Sequence, residues 1–160
     1  MRAIAKFLTL VTALVLLAGG YLIWASELKV TPAGVVVESA ADRIQAFEGI
    51  RESSEVGSPD LVMYENSITG GPDQYVFVTY TLKMRNLNAL PAEWLQIDIE
   101  PVEGDVLMVK AIVEDVPAFS EQLFTVVLMT SRSVGDYSRK ATLSYYVYGH
   151  EISVPLVLRS

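Results

Sequence analysis

YVFVTYTLKMRN, residues 75–86, alternates with a period of two. Val76, Val78, Tyr80, Leu82 and Met84 fall on one face, and Phe77, Thr79, Thr81, Lys83 and Arg85 on the other, which turns polar toward its end. Successive side chains of a β-strand point to opposite sides, so this spacing predicts a strand with one face in a core. The pattern continues downstream. In WLQIDIEP (94–101), Leu95, Ile97 and Ile99 are expected inward and Gln96, Asp98 and Glu100 outward. VLMVKAIVED (106–115) alternates less cleanly, as a strand covered on both faces does. LFTVVLMT (123–130) follows, then RKATLSYYVYG (139–149), with Ala141, Leu143, Tyr145 and Val147 opposite Thr142, Ser144, Tyr146 and Tyr148. ISVPLVL (152–158) ends the series, and Pro155, lacking an N–H, predicts an edge strand. Turns are expected at 86–91, at Glu103-Gly104-Asp105, over 117–121, and in a tight hairpin centred on Gly149-His150.

Upstream the chain is less regular. Residues 29–37, with Val35-Val36-Val37, predict a first strand or stalk, and 61–64 are a brief apolar run. SAADRIQAFEGIR (39–51) sets Ile44, Phe47 and Ile50 at helical spacing behind Ser39, predicting one short amphipathic helix near 40–51. A polar loop over 52–60 and a turn over 69–73 complete the region. Six strands after residue 74 and one or two before it, with no β-α alternation, predict an all-β antiparallel sandwich of about 7–8 strands.

The N-terminus is different. Arg2 and Lys6 precede 20 uncharged residues, 7–26, long enough to span about 30 Å as a helix. The expected anchor residues are Phe7, Leu8, Leu10, Val11, Leu14, Val15, Leu16, Leu17, Tyr21, Leu22, Ile23 and Trp24, with Tyr21 and Trp24 at the outer interface. The two cations hold 1–6 in the cytoplasm, 7–26 cross the membrane, and the body lies outside: 27–74 as stalk, first strands and helix, 75–160 as sandwich core. The alternative is a signal peptide cut near Ala25, giving a secreted protein.

The succession VTYTLKMRNLNALPAEWLQIDI, GDV, VPAFSEQLFTVVLMT and ATLSYYVYG resembles the generic immunoglobulin-like domains of prokaryotic surface proteins over about 75–158. The resemblance implies an immunoglobulin-like sandwich and a role in binding or assembly, with no active site. The Cys…Trp…Cys core of antibody-type domains is absent, because the chain has no cysteine.

All 19 acids and 10 of the 12 bases lie beyond residue 26, leaving that part at −9. Such a surface argues against nucleic acid, which needs a basic patch. Without cysteine there is no thiolate catalysis or Cys-ligated zinc. His150, the only histidine, falls in a turn with no nucleophile motif beside it. The carboxylates Asp98, Glu100, Glu103 and Asp105 are the best candidate for a cation site, although EF-hand spacing is missing and a solvated outer face is the stronger explanation. Tyr146 and Tyr148, beside Thr142 and Ser144, are a candidate contact surface, and cross-strand packing is the alternative for the tyrosine group. Met63, Met84, Met108 and Met129 are spaced as core fillers. The expectation is a non-enzymatic chain with no cofactor, whose partners are membrane lipid and a protein. A pilin-like subunit and an exported hydrolase are the remaining alternatives.

Overall fold

The computed structural model describes residues 2–24, 28–65, 67–110 and 115–159. Cleavage at Ala25, the adjoining Ser26 and Glu27, and the 111–114 stretch of the expected VLMVKAIVED strand lie outside the described residues, as do the side chains of Leu22, Ile23 and Trp24.

The first element, α1, is a helix over Arg2–Trp24. Within it Ile4–Tyr21 is long and apolar enough to cross a membrane, and none of that window is buried against the rest of the chain. The hydroxyls of Thr9 and Thr12 donate to the carbonyls of Ala5 and Leu8, each at 2.9 Å, so the polar groups of this apolar helix are satisfied within it.

Eight strands are described: β1 (Lys29–Ser39), β2 (Leu61–Met63), β3 (Tyr75–Arg85), β4 (Glu93–Ile99), β5 (Asp105–Val109), β6 (Glu121–Ser131), β7 (Arg139–Val147) and β8 (His150–Leu158). They form two antiparallel sheets, one ordered β1-β3-β6-β5-β2 and one ordered β4-β7-β8. The inward faces read from the alternation meet between them. Val76, Val78, Tyr80, Leu82 and Met84 from β3 share one buried cluster with Leu95, Ile97 and Ile99 from β4 and Ala141, Leu143, Tyr145 and Val147 from β7. β1 pairs with β3 along its length, from Lys29 opposite Arg85 to Ser39 opposite Val76, with an irregularity at Pro32/Gly34. Pro155 lies on β8, an edge strand, as its missing donor requires.

The second helix, α2, is displaced from its expected position near 40–51 and covers Ile44–Val56. Ser39 does not cap it: that residue is the last of β1, and its hydroxyl accepts from the Ala41 N–H at 3.3 Å. The stretch 52–56, expected as loop, is helical, and there the Ser53 and Ser54 hydroxyls find partners in the Gly49 and Arg51 carbonyls at 2.7 Å each. Gly57, at φ 75°, then ends the helix in the left-handed conformation that glycine reaches without a Cβ clash. Phe47 from α2 is fully buried, stacks on Tyr75 and fills a second core with Phe77, Leu107 and Met129 on the outer face of the larger sheet. Ile44, expected on the buried stripe, is exposed.

The last hairpin is also displaced by one residue. Val147 pairs with His150, so its two-residue turn is Tyr148-Gly149, not Gly149-His150. Both turn residues have positive φ, 51° and 77°, as the hairpin turn that matches strand twist demands.

Candidate functional site

The four carboxylates do not converge. Asp98 and Glu100 are exposed at the end of β4, where the Gln96 amide donates to Asp98 at 3.1 Å, and Glu103 is exposed in the following turn. Asp105 points inward: it is 2% exposed and held by Arg139, itself 3% exposed. The guanidinium donates through Nε to Oδ2 at 2.8 Å and through Nη2 to Oδ1 at 2.7 Å. Its Nη1 donates to the carbonyls of Asp136 and Ser138 at 2.8 and 2.9 Å, and the Val102 N–H donates to Asp105 at 3.0 Å. This charge-assisted fork ties β5 of one sheet to β7 of the other, and donation to the Asp105 carboxylate raises the Arg139 pKa above its ordinary value. Asp105 therefore departs from the solvated outer face expected for it. Among the described residues, no group of three or more His, Asp or Glu side chains is placed to hold a metal ion.

Near this pair stand two tyrosines. Tyr80 donates to the Tyr137 carbonyl, and Tyr64 to the Ile99 carbonyl at 3.2 Å. Burial, with negative charge on Asp105 nearby, pushes both phenols up to about 12. They remain neutral hydrogen-bond donors across the physiological range. Of the methionines, Met84 and Met108 lie in the core between the sheets and Met129 in the core under α2, so these three fill cores. His150 is exposed as the first residue of β8.

The aromatic side chains are more informative. Tyr145 and Tyr80 are buried in the main core, and Phe77 is buried under α2. Tyr146 is partly exposed opposite Glu93, and Tyr148 is 80% exposed at the hairpin turn. Two further exposed aromatics belong to the same end of the sandwich. Trp94, 77% exposed, sits at a register shift between Glu93 and Gln96, and Phe119, 73% exposed, sits just before β6. Trp94, Phe119 and Tyr148 are also the three non-glycine residues with positive φ among those described, at 54°, 55° and 51°. Holding a non-glycine residue in that region costs on the order of 1–2 kcal/mol.

The backbone around these residues is tied down. Asn86 is buried at the end of β3; its amide donates to the Leu90 and Val116 carbonyls at 2.8 and 3.1 Å and accepts from the Asn88 N–H at 3.0 Å. That single side chain joins the loop after β3 to the segment before β6. The Phe119 N–H donates to the Asn88 carbonyl at 3.2 Å, and the Trp94 N–H to Asp115 Oδ1 at 3.3 Å. The start of β1 is fixed at the same end: Leu28 is buried, and its N–H donates to the Tyr145 hydroxyl at 2.8 Å. Sequence reading found Tyr148 here and missed Trp94 and Phe119. Trp94 shares the outward phase of Gln96 and Asp98, but its size and apolarity read as core composition, and Phe119 lies outside any periodic stretch.

The sheet edges offer a second feature. β1 and β8 are edge strands of different sheets, and a groove of about 410 Å³ runs between Leu28, Lys29 and Val30 on one side and Val154, Pro155 and Leu156 on the other. Lys29 and Pro32 discourage further pairing along the first half of β1, whereas 34–37 is uncharged, with Val36 and Val37 exposed. No protein-family profile matches the chain, and no curated protein matches it in sequence.

Proposed function

We propose that this chain is a non-enzymatic single-pass membrane protein. Its N-terminus lies in the cytoplasm, and it displays an immunoglobulin-like sandwich outside for protein binding or envelope-complex assembly. The observation that carries the reading is α1: an apolar, unburied helix joined through only three residues, 25–27, to a β-domain whose first strand is an open edge. The two sheets sharing one core support the immunoglobulin-like reading. The uncharged 34–37 stretch of β1 supports binding by strand addition, in which main-chain hydrogen bonds to an edge provide affinity.

The test is purification of the full chain from native membranes in mild detergent, beside the Val36→Lys variant, which places a charge on the open edge. A stoichiometric partner retained by the parent and lost by the variant supports the proposal. A parent that carries no stoichiometric partner counts against it. A secreted form is the second reading, because an apolar helix at the N-terminus also serves as a signal sequence. Intact mass of the membrane-bound protein separates the two: retention of residues 1–25 favours the anchor.

A further inference from the structure

The end of the sandwich where β1 begins gathers chain segments that are far apart in sequence. Lys29 pairs with Arg85, Arg85 with Glu121, Glu93 with Tyr146, and Val147 with His150. The start of β1, the β3–β4 loop, the segment before β6 and the β7–β8 hairpin therefore lie together. Every exposed aromatic described outside α1 is here: Trp94, Phe119, Tyr146 and Tyr148, with exposed Leu87 in the β3–β4 loop. Three of these aromatics combine high exposure with positive φ, so large apolar side chains meet solvent at backbone angles that themselves cost free energy. Buried Asn86 braces the β3–β4 loop and the segment before β6, and the register of β7 against β8 fixes the hairpin that carries Tyr148.

The position of α1 identifies what covers them. From Trp24, the last residue of α1, to Leu28, clamped on Tyr145, the chain has four Cα steps, a reach of roughly 14 Å at full extension. If α1 spans the bilayer, this end of the sandwich is held within that distance of the interface, where tryptophan and tyrosine rings are favoured. The bases at this end, Lys29, Lys83 and Arg85, stand among the acids Glu93, Asp115, Glu121 and Glu151, and Lys83 is ion-paired with Glu121, so the end is not a uniformly basic patch for lipid phosphates.

We infer that Trp94, Phe119 and Tyr148 form a second interfacial anchor, seating the base of the sandwich in the headgroup region of the membrane that α1 crosses. This rests on the membrane reading of α1 and adds a defined orientation of the domain to it. Contact is through ring insertion and not charge, so it persists in high salt and in zwitterionic lipid.

The two tryptophans of the chain, Trp24 and Trp94, permit a direct test with full-length protein in phosphatidylcholine vesicles. Trp24→Phe leaves Trp94 as sole reporter. The triple variant Trp24→Phe, Trp94→Phe, Leu14→Trp reports on the helix. Lipids with a quencher near the glycerol are expected to remove most Trp94 emission, unchanged at high salt, and lipids with a quencher deep in the chain to remove most Leu14→Trp emission. Adding Phe119→Ser and Tyr148→Ser to the Trp24→Phe protein is expected to restore the Trp94 signal.

Quenching of the helix reporter with Trp94 still open to aqueous acrylamide overturns the inference and leaves the anchor standing. Trp94 shielded from both lipid quencher and acrylamide overturns it in favour of a second copy or a protein cover. Unaltered Trp94 quenching in the serine variant overturns the joint role of the three rings. If the helix reporter is not quenched either, the membrane reading itself fails.

Discussion

Replacing Arg139 by methionine removes one half of the buried fork between the sheets. The substitution deletes two hydrogen bonds to Asp105, at 2.8 and 2.7 Å, and two to the carbonyls of Asp136 and Ser138. It leaves a carboxylate that is 2% exposed with the Val102 N–H as the one donor shown for it. Breaking a buried pair by removing one partner costs about 3–5 kcal/mol, because the remaining charge is uncompensated. Against a typical stability of roughly 5–15 kcal/mol, that is about a fifth of the total or more. With a urea slope of about 1–3 kcal/mol per molar, the midpoint is expected to fall by about 2 M. The double variant Asp105→Leu/Arg139→Met removes both charges and should be clearly less damaging than the sum of the two single variants. The assay is urea unfolding of the full chain in detergent, followed by near-ultraviolet circular dichroism. An Arg139→Met cost below about 1 kcal/mol, or a double variant as poor as the summed singles, refutes the argument.

Other perturbations address different parts of the fold. Tyr80, buried and raised to about 12 from an ordinary value of about 10, stabilises the fold fully below pH 10 and loses that contribution as pH rises through 12. On the order of 2–3 kcal/mol from Tyr80 should disappear across that window, and Tyr80→Phe should reduce the dependence to the part that Tyr64, also raised to about 12, contributes; equal slopes in both proteins would sink the assignment. Phe47→Ala empties the second core and should cost about 3–5 kcal/mol, with hydrogen exchange rising first in α2. Tyr145→Phe leaves the buried Leu28 N–H without its hydroxyl partner and should cost about 1–3 kcal/mol by thermal unfolding. Gly149→Val strains a φ of 77° with open space around the new Cβ, so its cost of about 1–2 kcal/mol should appear without disturbing neighbouring resonances.

The strands were legible because burial on one face imposes a local signature. In 75–86, 94–101 and 139–149 each inward residue is marked by its own spacing. The misplaced features are those decided by distant partners. β1 runs through Ser39 because β3 pairs with it there, and that pairing takes away the residue expected to cap the helix. The hairpin turn falls on Tyr148-Gly149 because the register of β7 against β8 fixes it; left-handed geometry is uncommon for tyrosine, so the neighbouring Gly-His looked better suited. Asp105 resembled a solvated turn residue, since Arg139, 34 positions away, gives no local sign of its presence. Trp94 and Phe119 carry the composition of core residues; the alternation of β4 places Trp94 outward, but Phe119 lies in a link with no periodicity to report its exposure.

The pairing of β1 with β3 also determines how the domain bears mechanical load. Tension from α1 enters the sandwich at the first residues of β1 and runs along that strand. Antiparallel hydrogen bonds lie perpendicular to the strands they join. A pull on Lys29, resisted by anything that grips the opposite end, therefore shears the ten paired positions from Lys29 to Ser39 together. Peeling would have opened them one at a time. Where α1 serves as an anchor, a load entering at β1 meets the geometry that resists force best, and the domain would fail abruptly.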